Sequence, residues 1–169
     1  MTSFSNIVLT DVFYGSACIR AAGILIHDWT DATAAEHHVY LSEQTEEYVS
    51  GSFYQRELPH LIDILSCFKT FDCVVVDAHV WLQKDKPGCG HYLWKQLEER
   101  IPVIGVAKRS FHDGVAEPIL RGDSQNPLFI TAIGVDLQLA KQYILQMHGP
   151  YRMPTMLKSV DHLSRHETL

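Results

Sequence analysis

Long apolar runs are absent from this 169-residue sequence, and none reaches the ~18 residues that a membrane-spanning helix requires. The opening residues, MTSFSNIVLTDV, have neither the charged start nor the small-residue cleavage site of a signal peptide, so a cytoplasmic location is expected. Cysteine is scarce: Cys18, Cys67, Cys73 and Cys89 form no CxxC pair, and most lie in apolar stretches. They read as buried free thiols in a reducing compartment, which excludes a zinc site or a disulfide framework. Repeats, low-complexity tracts and linker-like stretches are also missing, so a single domain over 1–169 is expected. Basic residues are few in the first half. Residues 1–80 hold only Arg20, Arg56 and Lys69 against eleven acids, whereas 81–169 hold eleven basic and nine acidic residues. With a net charge of −6, that distribution excludes a generic basic-patch DNA binder. Any contacts to a polyanion must come mainly from the second half.

What is present is an ordinary globular composition, 46% hydrophobic and 20% charged, with clear changes of period. Residues 6–14 and 18–27 read as strands joined at Gly15-Ser16, and a short strand follows at His37–Leu41. Residues 42–55 are polar and irregular. From Arg56 the apolar spacing turns helical through Leu58, Leu61, Ile62, Leu65 and Phe68, with Pro59 tolerated in a first turn. The run 72–77 (DCVVVD) is that of a strand buried on both faces. A helix at His91–Arg100 and a second buried strand at 102–107 imply a right-handed parallel crossover. Segments 116–121 and 127–132 form a hairpin, and a helix runs from Asp136 to about Met147. The tail, 151–169, has little periodicity and is expected to be partly mobile. Three antiparallel strands continued by parallel ones, with flanking helices, describe an α/β, ribonuclease H-like fold. A flavodoxin-like sheet would need a helix between the first two strands.

Three acids stand where an acid is hard to explain structurally. Asp11 interrupts an apolar strand, Glu57 opens the helix after the third strand, and Asp77 ends the Val74-Val75-Val76 run. The first strand and the strand after the first helix are neighbours in such a sheet, so Asp11 and Asp77 would share a cleft with Glu57 above it. Crowded carboxylates cannot all stay ionised without a cation between them, and oxygen ligands suit Mg²⁺ or Mn²⁺. Singly, each acid has a plain alternative. Glu57 could serve the helix dipole, Asp77 a turn, and Asp11 a buried arginine. Together, in the order strand, helix, strand, they point to metal-assisted phosphodiester chemistry.

At these residues the chain resembles the endonuclease V family, metal-dependent nucleases that cut near deaminated purines such as inosine. Asp11-Val12-Phe13-Tyr14 is similar to its D-V-x-Y segment. Tyr48-Val49-Ser50-Gly51 with Gln55-Arg56-Glu57-Leu58-Pro59 resembles Y-x-P-G…R-E-x-P. Val76-Asp77-Ala78-His79 resembles V-D-G-H, and Ile104-Gly105-Val106-Ala107-Lys108 reproduces I-G-V-A-K. Tyr151-Arg152-Met153-Pro154 and Val160-Asp161 resemble the closing R-x-P…A-D. The resemblance implies that Asp11, Glu57 and Asp77 bind Mg²⁺ or Mn²⁺ and act in catalysis, with Lys108 positioning the scissile phosphate. It implies substrate contacts from Tyr14, Tyr48, Val49, Ala78, His79 and His91, with Tyr48 in a strand-opening wedge. The expected partner is DNA or RNA, single-stranded or locally opened, bound by a monomer.

The departures from the family pattern matter too. Both glycines of V-D-G-H-G are lost, at Ala78 and Val80, and side chains there would narrow the space for a flat base. The H-P-R tract that follows is replaced by Gln83-Lys84-Asp85. The histidine of S-x-G-H is absent from Thr131-Ala132-Ile133-Gly134-Val135. Asp136, next in sequence, could supply a metal ligand in its place, or could simply cap its helix. His91 could replace a family histidine, or be a helix N-terminal residue. A competing reading is therefore a degenerate relative that binds nucleic acid without cutting it. A third is an interaction domain with ordinary surface acids.

Overall fold

A computed structural model describes residues 3–43 and 53–169. The apolar runs at the start of the chain pair as strands β1 (Ile7–Tyr14) and β2 (Ile19–Ile26), antiparallel, closed by a Gly15 N–H donated to the Cys18 carbonyl. Strand β3 (Glu36–Ser42) adds antiparallel to β2. Helix α1 (Phe53–Leu65) then crosses to β4 (Cys73–Val76), which lies parallel to β1 on its other side. Helix α2, Cys89–Gln96, returns the chain to the strand Val103–Ala107.

Between β4 and α2 lies a small hairpin that the sequence reading does not anticipate, β5 (Trp81–Gln83) with β6 (Lys86–Pro87), turning at Asp85 in left-handed backbone (φ 60°). The strand after α2 is β7, parallel to β4. The expected hairpin is β8 (Glu117–Ile119) with β9 (Leu128–Ile133), and β9 runs antiparallel to β7. Helices α3 (Leu137–Gln146) and α4 (Thr155–His166) complete the chain. The sheet order is β3-β2-β1-β4-β7-β9-β8.

Strand alternation assigns the two faces. Val8, Val74, Val76 and Val103 pack under α1 and α2 with Leu61, Ile64 and Leu93. Ile7, Leu9, Val75, Ile104 and Val106 pack under α3 and α4 with Ile144, Leu157, Val160 and Leu163. All four residues of β4 are buried, as a strand covered on both faces requires. Among the described residues no helix is long and apolar enough to cross a membrane.

Three expectations are corrected. Helix α1 is already formed at Phe53, so Glu57 lies at least a full turn inside it, too far in for a dipole role, and Pro59 is interior. An interior proline removes one helix hydrogen bond; the packing of Leu61, Ile64 and Leu65 holds the helix regardless. Residues 155–166 of the supposed tail are helical. Met156, Leu157, Val160 and Leu163 do recur at helical spacing, but Lys158, Ser159, Asp161 and His162 dilute the signal. Burying Leu157, Val160 and Leu163 is worth about 1.5–3 kcal/mol each, enough to hold a helix whose Pro154 cap makes no side-chain bond. Finally, only Cys73 and Cys89 are buried; Cys18 and Cys67 are half-buried.

Candidate active site

The register of β1 against β4 pairs Ile7 with Cys73, Val8 with Val74 and Leu9 with Val75. Carried two residues further, the same register sets Asp11 beside Asp77. Period-two alternation from Leu9 and Val75 turns both carboxylates to the α4 side of the sheet. On that side they line one cleft with Thr10, Lys108, Leu157 and Asp161. Its free volume of about 30 Å³ suits an ion and a water or two, not a nucleobase. Lys108 arrives because β7 ends at Ala107 and its alternation follows Val106.

Helix α4 is docked by Arg20 of β2. Its guanidinium donates to the carbonyls of Ser164 (2.7 Å) and Arg165 (2.8 Å), the favourable place for a cation on a helix C-terminus. This arginine is occupied there, so the reading of Asp11 as an arginine partner does not hold. Docking brings the buried Ser164 hydroxyl to Asp11, to which it donates at 2.7 Å. It also brings Asp161, whose Oδ1 accepts from Arg165 Nε at 3.1 Å. Asp161, which carries no expected role in the Val160-Asp161 motif, stands in the cleft with Asp11 and Asp77.

Glu57 approaches from α1, on the opposite face, and is buried to 7% exposure. The Tyr14 hydroxyl donates a short hydrogen bond to Glu57 Oε2, and the Arg56 guanidinium lies 3.8 Å over the Tyr14 ring. Tyr14 therefore holds Glu57 in place.

The electrostatics are those of crowded acids. Burial pushes the Asp11 carboxyl up to about 7; the Ser164 hydrogen bond opposes this, and the charges of Asp77 and Asp161 add to it. Burial likewise pushes Glu57 up to about 7, against the Tyr14 bond and with added repulsion from Asp11 and Asp77. Asp77 is reached by solvent at the mouth of the cleft, yet desolvation on its enclosed side raises it too, with Lys108 acting in the other direction. Burial and the Glu57 charge raise the Tyr14 phenol above its ordinary value.

These donors fit a hard divalent cation chemically. All are carboxylate oxygens, and a cation between them would offset both the desolvation and the mutual repulsion that raise their proton affinity. As arranged, no three His, Cys, Asp or Glu side chains among the described residues close round one point. Ser164 engages Asp11, and Tyr14 engages Glu57.

Other expected residues lie elsewhere. Asp136 is exposed and caps α3, its Oδ1 accepting from Leu139 N at 3.0 Å. It does not line the cleft, so the metal-ligand expectation for Asp136 is corrected to the helix cap. His91 sits in the first turn of α2, packed against Trp81 at 4.7 Å and Trp94 at 6.1 Å, also away from the cleft lining. His79 Nε2 meets the Arg109 carbonyl at 3.0 Å. Val80 is fully buried against Gly90 in the α1–α2 core, so its side chain does not narrow an open pocket. Ala78 is half-buried, its carbonyl so close to Gly105 that a Cβ there would stand 2.4 Å away. Tyr48 and Val49 lie outside the described residues.

Comparison with known proteins follows the same lines. The endonuclease V family model matches residues 4–142. A curated endonuclease V from Nocardia farcinica is 25% identical over 185 aligned positions, covering 96% of this chain and 80% of that protein. The Ciona intestinalis endonuclease V, solved with a 24mer DNA containing an inosine followed by a ribo-adenosine, superposes with a TM-score of 0.84 at 15% identity, over 97% of this chain and 86% of its own. Human ENDOV superposes with a TM-score of 0.79 at 20% identity, over 97% and 84%. The fold is ribonuclease H-like, and the chain belongs to the endonuclease V family.

Proposed function

We propose that this chain is a Mg²⁺- or Mn²⁺-dependent endonuclease that hydrolyses phosphodiester bonds in DNA or RNA near deaminated bases such as inosine. The observation that carries the reading is the convergence of Asp11, Asp77 and Asp161 with Lys108 in one cleft, with Glu57 buried behind them. Asp11, Asp77 and Glu57 would hold the metal, with Asp161 beside them. When bound, the ion would neutralise charge building on the phosphate and ease proton loss from the attacking water.

The chain's own residues do the rest. Lys108, exposed at the cleft mouth, offers a positive charge to the scissile phosphate. Ser164 fixes the Asp11 carboxyl, and Tyr14, under Arg56, fixes Glu57, so that both acids are held before substrate arrives. The protein is expected to act as a cytoplasmic monomer on strands that are single or locally opened.

The test is a cleavage screen of wild-type protein and Asp77→Asn with Mg²⁺ and Mn²⁺, on inosine, uracil, mismatch, flap and plain single-stranded substrates in DNA and RNA. Wild type should cut an inosine-containing oligonucleotide, and Asp77→Asn should not, with its melting temperature retained. If wild type cuts none of them but still binds, the chain is a non-cleaving relative. That outcome would agree with the cleft acids, as arranged among the described residues, standing too far apart for three of them to grip one ion.

A further inference from the structure

Beside the carboxylate cleft runs a second, larger opening. One wall is α4 with the segment leading into it, and the other is the β2–β3 connection around Ala32–Ala34. The groove measures about 670 Å³, within the usual size of ligand sites. Met153 lines both groove and cleft, so the two are neighbours on either side of one side chain. Among the described residues no Asp or Glu lines this groove; its basic side chains are His37, Lys158 and His162.

The groove also has an aromatic ring on a fixed support. Tyr151 is 65% exposed, the most exposed aromatic side chain among the described residues. Its backbone is nevertheless pinned, because its carbonyl accepts from Arg121 Nη1, and that arginine is itself only 5% exposed. The same guanidinium takes the carbonyls of Met147 (2.6 Å) and Gly149 (3.1 Å), so one buried cation organises the whole approach to α4. Lys158 Nζ lies 5.5 Å from the centre of the Tyr151 ring. A flat ring left in solvent on a rigid mount, with a cation beside it, is suited to stacking an unpaired base while the cation meets a phosphate.

We propose that this groove binds the substrate strand beyond the scissile phosphate, with Tyr151 as a stacking platform and Lys158 as a backbone contact. The inference rests on the nuclease reading, and the experiment separates the two. Fluorescence anisotropy would compare inosine-containing single strands of about 4 nucleotides, spanning the cleft alone, and about 16 nucleotides, reaching the groove. Tyr151→Ala should lower the ratio of long-strand to short-strand affinity about tenfold, and Tyr151→Phe should restore it. Lys158→Gln should reduce the salt dependence of long-strand binding by a slope of about one. Melting curves of each variant confirm the fold. If wild type cuts but Tyr151→Ala and Lys158→Gln leave the length ratio and salt slope unchanged, the groove serves another occupant and this proposal alone is overturned. If wild type neither binds nor cuts any strand, the nuclease reading fails and takes this one with it.

Discussion

Asp11→Asn should stabilise the metal-free protein, and by about 3 kcal/mol more at pH 8 than at pH 5. The folded protein holds the Asp11 proton up to about pH 7, whereas the unfolded chain releases it near 3.8. Between those values the native state binds more protons than the unfolded state, so stability falls as pH rises through the window and levels off above about 7. From pH 5 to 8 that loss is about 3 kcal/mol for Asp11 alone, or roughly 6–12 °C in melting temperature for a chain of this size. Glu57 is raised to about 7 as well and acts with the same sign. His91 is lowered by burial and acts with the opposite sign, but it is common to both proteins and cancels in the difference. Asp28 and Glu117 are held low by their hydrogen bonds, so their contributions disappear only below the window.

Asparagine keeps an acceptor for Ser164 and has nearly the shape of the protonated acid, so packing is preserved. Scanning calorimetry in EDTA at pH 5, 6.5 and 8 gives the comparison. Adding Mn²⁺ at pH 8 should then raise the wild-type transition and leave Asp11→Asn largely unmoved. A wild-type transition that stays flat or rises from pH 5 to 8, or an Asp11→Asn protein less stable than wild type at pH 8, would refute the reasoning.

Tyr14→Phe removes the donor to a buried Glu57 carboxylate and should lower stability by about 1–3 kcal/mol, read as a reduced urea midpoint, with slower Mn²⁺-dependent cleavage. Asp161→Asn should reduce cleavage strongly without loss of the melting transition, whereas Asp136→Asn should leave cleavage unchanged, since asparagine caps a helix nearly as well. Gly105→Ala would push a Cβ to 2.4 Å from the Ala78 carbonyl and 2.6 Å from Thr131 Oγ1, so it should destabilise the fold by several kcal/mol and reduce soluble yield.

Asp11 and Asp77 were legible in the sequence because each is a charge set against a β-branched or apolar strand. Glu57 was legible as an acid on the covering helix, although its place in that helix was not. The chain is already helical at Phe53, before the apolar spacing becomes evident, and the interior proline obscures the pattern. The β5–β6 hairpin escaped notice because its strands are only three and two residues long.

By itself, the sequence determined the strand and helix periods, the parallel pairing of the first and fourth strands, and so the meeting of Asp11 with Asp77. Those are local patterns joined by one topological rule. Only the tertiary structure decided which of Asp136 and Asp161 lines the cleft. Both sit on amphipathic helices near the end of the chain, and nothing local distinguishes them. The choice depends on where each helix docks. Asp136 is spent on the amide of Leu139, on a helix packed over β9. Helix α4 is drawn across β1 and β2 by Arg20 and by its apolar stripe, which brings Ser164 to Asp11 across 153 positions of sequence. A contact of that span carries no signature in either segment alone, because it is set by the summed burial and hydrogen bonding of everything packed between them.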